Sequence, residues 1–292
     1  MKINEIKTIG IIGSGTMGRG IAISSSVSGF KTIVYDINEE VIKKAEGSIF
    51  NDLQKSVEKK KLSDEKKAEA LSNLNFTSEM NDFSECDFII EAAPEDIDLK
   101  KNIFSSLDTI CRKDTILSTN TSSLSVTRIS VFVKNNPERV VGMHFFNPAN
   151  IMKLVEVVKG DFTSDECIKT TAELSEKMSK VPVIAKDTPA FIVNRIARPF
   201  YGESLKILSE GTSGHSEIDK VMKSCGGFPM GPFELMDLIG IDINFSVTKS
   251  VYESFFNDPK YRPSFIQKKM VDANITGRKT GRGFYTYDNS KK

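Results

Sequence analysis

Short apolar runs alternate with helical stripes from the start of the chain, and longer helical patterns fill its last third. Residues 7–13, KTIGIIG, read as a buried strand, and GSGTMGRGIAISSSVSG after it opens a helix. KTIVYD is a second strand, ending at Asp36. Between 38 and 72, Val41, Ile42, Ala45, Ile49, Leu53 and Val57 recur at helical spacing. That segment is longer than a plain crossover, and its lysine-rich part, QKSVEKKKLSDEKKAEA, predicts a helical hairpin standing off the sheet. Leu74-Asn75-Phe76, CDFIIE at 86–91 and residues 115–119 are further strands; VVGMHFF and KLVEVV follow, then a helix over 165–178 and the strand VPVIA. KDTPAF reads as a hinge with Pro189 near a helix start. The remainder is helical, punctuated by Gly211, Gly214 and CGGFPMGPFELMD. The alternation predicts an α/β domain over 1–187 followed by an all-helical domain over 188–292.

The first strand-to-helix turn carries chemistry. Gly13, Gly15 and Gly18 fit G-x-G-x-x-G in the context that motif requires, with Thr16 and Met17 inside it. Gly13 permits the tight turn, Gly15 lets backbone approach a pyrophosphate, and Gly18 lets helix and strand pack closely. Asp36 stands near the offset at which an acid accepts from the adenosine ribose and repels a 2′-phosphate. No arginine follows it, since Ile37 and Asn38 come next, so the expected cofactor is NAD rather than NADP. The first domain is thus predicted to be a Rossmann-like, doubly wound sheet with a helical hairpin inserted.

Composition removes several classes of partner. At 292 residues the chain exceeds the usual single domain, and 39% hydrophobic against 27% charged residues argues for a folded core. A formal net charge of +1 argues against nucleic acid or a membrane surface as partner. Cys86, Cys111, Cys167 and Cys225 lack metal-ligand spacing, so no structural zinc is expected. The start, MKINEIKTIG, has no apolar signal core, and no later run is long enough to span a bilayer; a cytoplasmic protein with reduced thiols is expected.

Of the two histidines, His144 falls where a strand hands over to its loop, the place where open α/β sheets build their sites. Asn147-Pro148 ends that strand, and in KLVEVV Glu156 shares a face with Leu154 and Val158. A carboxylate on an apolar face needs a partner, and the imidazole of His144 suits it. His144 is read as the general base; a core histidine and a solvated glutamate is the alternative on local sequence. Asn120, Thr121, Ser122 and Ser123 place polar groups at the same sheet edge, where Ser122 or Ser123 can also cap the next helix. Glu95 and Lys100, in the loop and helix after CDFIIE, suit contacts near a nicotinamide. His215 lies among turn residues and reads as surface. The apolar helices of the last hundred residues exceed what so small a domain buries on itself, which predicts a homodimer.

The glycine motif, STNTSSL, GMHFFNP, KLVEVV, KDTPAFIVNR, GGFPMGPFELMD and GRKTGRGFYTYD together resemble the 3-hydroxyacyl-CoA dehydrogenase family across nearly the whole chain, and most of all its stand-alone bacterial and archaeal members. The resemblance implies a Rossmann-like domain followed by a helical dimerisation domain. It implies NAD-dependent oxidoreduction at C3 of an acyl-CoA substrate, with 3-hydroxybutyryl-CoA and acetoacetyl-CoA as the expected pair; 3-hydroxyadipyl-CoA, a longer chain, or a non-catalytic descendant are the alternatives. It carries general-base and orienting roles onto His144 and Glu156, substrate contacts onto Ser122 and Asn194, and cofactor contacts onto Glu95 and Lys100, with Asn120 also expected at the cofactor. A CoA-binding lysine falls near Lys59, and a mobile arm bearing Lys55 and Lys59 suits the phosphates of CoA. Where the family often has a VEN-like segment this chain has APED.

Overall fold

The computed structural model describes residues 1–288. The chain divides into two compact units, Met1–Phe191 and Ile192–Lys292.

The first unit is one eight-stranded sheet in the order β3-β2-β1-β4-β5-β6-β7-β8. Its strands are β1 (Thr8–Ile12), β2 (Lys31–Tyr35), β3 (Leu74–Thr77), β4 (Phe88–Glu91), β5 (Ile116–Thr119), β6 (Val140–Phe145), β7 (Leu154–Lys159) and β8 (Val181–Lys186). Neighbours pair in parallel except β6 with β7, which run antiparallel. The central strands are mostly apolar because helices flank them, and β4, β5 and β6 are buried at every position, including Glu91, Ser118, Thr119 and His144 near their carboxyl ends. Strand order reverses between β1 and β4, the point where doubly wound sheets open a crevice.

The flanking helices of this unit are α1 (Thr16–Val27), α2 (Glu39–Glu58), α3 (Asp64–Ser72), α4 (Ile97–Ile110), α5 (Val126–Ser130) and α6 (Asp165–Lys177). α2 and α3 are the expected hairpin, but they do not stand off: Ile49 and Leu53 of α2 and Ala70 of α3 join the main core with Ile21 and Ala22 of α1. The apolar stripe that predicted a helix also demanded a partner surface, and α1 supplies it. α5 is capped by Ser125, whose hydroxyl accepts from the Arg128 amide, so Ser122 and Ser123, the alternative caps, do not cap it. Asp187 completes that cap from sixty residues away, accepting from the Val126 and Thr127 amides and the Ser125 hydroxyl. These bonds hold Asp187 to the start of α5, and the unit ends at Phe191, the last residue of the KDTPAF stretch read as a hinge. Ala190 and Phe191, at φ 66° and 48°, adopt left-handed backbone at its end.

The second unit is helical: α7 (Val193–Ser209), α8 (His215–Ser224), α9 (Pro232–Ile239), α10 (Ile241–Ser254) and α11 (Phe265–Asp272) surround Tyr201, Leu205, Ile218, Phe233, Met236 and Ile241. Two buried aspartates explain particular glycines in its glycine-rich motifs. Asp219 accepts from the Phe233 and Glu234 amides at the start of α9 and from the Tyr285 hydroxyl, and a Cβ at Gly231 would lie 2.3 Å from its carboxylate. Asp237 accepts from the Phe284 and Tyr285 amides and the Tyr287 hydroxyl, and a Cβ at Gly283 would lie 2.0 Å from Oδ1. His215 is not simply surface: it is half-buried at the start of α8 and packs edge-on to Tyr285 with ring centroids 4.8 Å apart. Among the described residues no helix is long and apolar enough to cross a membrane.

Candidate active site

The glycine turn has the backbone that its spacing predicts. Gly13 sits at φ 94°, and a Cβ there would lie 2.7 Å from the Ala92 carbonyl oxygen. At Gly18 a Cβ would fall 1.7 Å from the Gly13 carbonyl, so only glycine allows α1 to approach β1 this closely. Gly15 caps α1 and faces open space, where a Cβ would meet nothing within 4 Å. Thr16 begins the helix and Met17 is half-buried behind it. The first-turn amides of α1 therefore face a gap that can admit a pyrophosphate. Asp36, just past β2, is held beside this turn: its Oδ2 accepts from the Ser14 amide and hydroxyl, both at 2.9 Å. The residues present fit a dinucleotide.

Four strands along the same edge, β6 presents His144. Its ring is buried, and Nδ1 lies 2.7 Å from Glu156 Oε2. Register explains the pairing, because β6 and β7 run antiparallel with His144 and Glu156 as direct cross-strand partners. Phe146 and Phe191 flank the imidazole with centroids at 4.7 and 5.8 Å. With Glu156 ionised, the carboxylate can only accept, so Nδ1 would donate in this contact and Nε2 would keep its lone pair.

The polar cluster lies next to this pair. Asn120 follows β5, and its Oδ1 accepts from the Phe145 amide at 2.8 Å, which ties the 120–123 loop to the end of β6. Ser122 and Ser123 are held by Glu95, whose Oε1 accepts from both amides and the Ser123 hydroxyl at 3.0 Å and from the Thr121 hydroxyl at 2.6 Å. Burial pushes the Glu95 carboxyl up, but the charge of Lys100 and the donors of Thr121, Ser122 and Ser123 outweigh it and hold it below the usual range. Lys100 is 1% exposed and its ammonium meets Glu91, a residue the sequence reading passed over. The signal was available: FIIE ends an apolar strand in a carboxylate, as KLVE does.

Lys55 and Lys59 line a cleft of about 610 Å³ with Lys61, Lys153 and Lys180, against a single carboxylate, Asp52. Lys180 was also missed. Burial lowers its pKa, and its ammonium donates to the Ala149 and Met152 carbonyls at 2.6 and 3.0 Å, fixing the loop between the His144 and Glu156 strands. Asn194 belongs to the second unit, in the first turn of α7.

A nucleotide cradle at the switch point and a buried proton-handling pair on the same carboxyl edge are the equipment of a dehydrogenase of the doubly wound class. Comparison with known proteins narrows the class. Residues 8–188 match the 3-hydroxyacyl-CoA dehydrogenase NAD binding domain and residues 191–287 the C-terminal domain of the same enzymes, so the chain belongs to the 3-hydroxyacyl-CoA dehydrogenase family. It is 43% identical over 280 residues to the 3-hydroxybutyryl-CoA dehydrogenase of Clostridioides difficile, covering 96% of this chain and 99% of that one. With the 3-hydroxyadipyl-CoA dehydrogenase of Escherichia coli K12 it shares 42% identity over 287 residues, 98% of this chain but 60% of that relative's length. The crystal structure of (S)-3-hydroxybutyryl-CoA dehydrogenase from Ralstonia eutropha matches with a TM-score of 0.93 and 39% identity, covering 98% of this chain and all of that one.

Proposed function

We propose that this protein interconverts a 3-hydroxyacyl-CoA and its 3-oxoacyl-CoA with NAD(H), with 3-hydroxybutyryl-CoA and acetoacetyl-CoA as the preferred pair. The observation that carries the reading is the buried 2.7 Å contact between His144 Nδ1 and Glu156 Oε2 at the carboxyl edge of a sheet whose glycine turn fits a dinucleotide. Gly13, Gly15, Thr16, Met17, Gly18 and Asp36 would hold the cofactor, which when bound supplies the hydride acceptor for C3. His144 takes the 3-hydroxyl proton on Nε2, while Glu156 fixes the tautomer and stabilises the imidazolium. Reduction returns the same proton. Ser122 and Asn194 orient the substrate oxygen, and Asn120 keeps the serine loop against the His144 strand. Phe146 and Phe191 exclude water from the imidazole. A 3-hydroxyadipyl-CoA preference is the second reading, favoured by the 42% identity to the Escherichia coli enzyme. The test is NADH consumption with acetoacetyl-CoA, 3-oxohexanoyl-CoA and 3-oxoadipyl-CoA compared by kcat/KM. Acetoacetyl-CoA should lead, and no turnover of any of them by protein that binds NADH would mark a non-catalytic descendant.

Asp36 should select the cofactor. Its carboxylate is pinned beside the glycine turn, where the 2′-phosphate of NADPH would meet it, and Ile37 beside it is exposed and uncharged. We expect NADH to be preferred by roughly tenfold or more in kcat/KM, and D36A/I37R to relax or invert that preference because a guanidinium can then meet the phosphate. Equal wild-type efficiency with both cofactors removes Asp36 from selection.

The lysine-lined cleft suits the phosphates of CoA. Replacing Lys55 and Lys59 together by Gln should raise KM for acetoacetyl-CoA roughly three- to tenfold, more at low salt, with KM for NADH unchanged. Acetoacetyl-N-acetylcysteamine lacks those phosphates and should not respond. An equal change with both thioesters places CoA elsewhere. The second unit leaves Ile196, Val221, Ile243 and Phe265 at least half exposed, and a second copy of this chain is the proposed cover.

A further inference from the structure

A second buried charged cluster lies at the carboxyl ends of β4 and β5, apart from the histidine pair. Glu91 closes β4 with a fully buried side chain. Its Oε1 accepts from the Ala93 amide at 2.8 Å and from Lys100 Nζ at 2.6 Å; its Oε2 accepts from Lys100 Nζ at 2.7 Å and from the Thr119 hydroxyl at 2.7 Å. The same ammonium stands 3.5 Å from Glu95 Oε2. Glu95 in turn spends Oε1 on the loop that carries Ser122, accepting from the Thr121 hydroxyl, the Ser122 and Ser123 amides and the Ser123 hydroxyl. One buried cation is thus shared unequally between two carboxylates, and only one of them touches the loop.

We propose that Glu91 is a positioning residue for Ser122: by holding the Lys100 ammonium with both oxygens, it keeps that charge from drawing Glu95 off the 121–123 loop. The inference rests on the reading of Ser122 as a substrate contact. Its physical basis is the cost of a buried cation without a partner. Take away the charge of Glu91, and Lys100, which is 1% exposed and far from water, has Glu95 as its remaining counterion. The carboxylate then divides between the ammonium and the loop donors, and the serine loop loosens. The ammonium of Lys100 meets both carboxylates, at 2.6 Å to Glu91 and 3.5 Å to Glu95.

The test compares the full-length wild type, E91Q and E91D by amide hydrogen exchange without ligands, by steady-state kinetics with acetoacetyl-CoA and NADH, and by NADH fluorescence titration. In E91Q, which keeps the shape and removes the charge, exchange at Ser122 and Ser123 should quicken about tenfold and kcat/KM for acetoacetyl-CoA fall about tenfold, in the range seen for directly coupled neighbours, with NADH affinity held within about twofold. E91D keeps the charge and shortens the side chain, so slow exchange and most of the kcat/KM should be retained. Wild-type exchange and kinetics in E91Q overturn the proposal. So does an E91D variant as impaired as E91Q, which would make Glu91 a packing residue. If E91Q does not fold, E91D decides alone: slow exchange at both serines supports the proposal, and fast exchange overturns it. A wild type that does not turn over acetoacetyl-CoA defeats the proposed function, and the exchange measurements then decide the role of Glu91 separately.

Discussion

Replacing His144 by Gln should lower kcat for acetoacetyl-CoA reduction by roughly 10²–10⁴-fold, the range that general acid-base catalysis supplies, while NADH binds as before. Gln is the better probe than Ala. Glu156 is fully buried, and a Gln amide can still donate to it, whereas Ala would leave an uncompensated carboxylate in an apolar setting and confuse loss of chemistry with loss of fold. The strand itself should hold, because β6 is paired along both edges, to β5 and to β7. Nucleotide affinity should hold too, since the glycine turn follows β1, which is separated from β6 by β4 and β5. A His144→Gln enzyme within a factor of a few of wild type, with NADH affinity unchanged, would take His144 out of the proton path.

What the sequence made legible was what local physics over-determines. Gly13 and Gly18 had to be glycine, since a positive φ and a Cβ clash with backbone forbid anything larger, and their spacing therefore announced the turn. Glu156 could be matched to His144 because side chains alternate along a strand and a lone carboxylate on an apolar face needs a partner. The helical hairpin was visible as a lysine-rich pair of helices, but its packing on α1 was not, since an apolar stripe says that a surface is covered and not by what. Contacts remote in sequence were the hardest. Asp187 caps α5 across sixty residues, so the serines before that helix looked like its caps until Ser125 and Asp187 were found in place. That the Lys100 ammonium pairs with Glu91 did not follow from its position early in a helix. The motifs GGFPMGPFELMD and GRKTGRGFYTYD looked as functional as GMHFFNP, yet Gly231 is dictated by Asp219, and Gly277 and Gly283 by Asp237, two aspartates that tie the segments of the helical unit together.

Glu156→Gln should cost about a hundredfold or more in kcat, by analogy with the loss when the orienting carboxylate of a catalytic histidine becomes an amide. The reason lies in which atom faces Nδ1. An ionised Glu156 offers only acceptors, so Nδ1 must donate and Nε2 is left with the lone pair that receives the substrate proton. A Gln can present its amide nitrogen instead. Nδ1 then accepts, the ring proton moves to Nε2, and the base points a hydrogen at the hydroxyl it should deprotonate. Even in the favourable orientation a neutral amide stabilises the imidazolium less than a carboxylate does. Shape is nearly conserved and the side chain is fully buried, so Tm should shift by only a few degrees, and the kinetic loss should exceed anything the change in folded fraction can explain. NADH affinity should again be unchanged. If Glu156→Gln lowers Tm but leaves kcat and kcat/KM near wild type, the 2.7 Å contact with His144 is a structural ion pair, and the base must be oriented by something else.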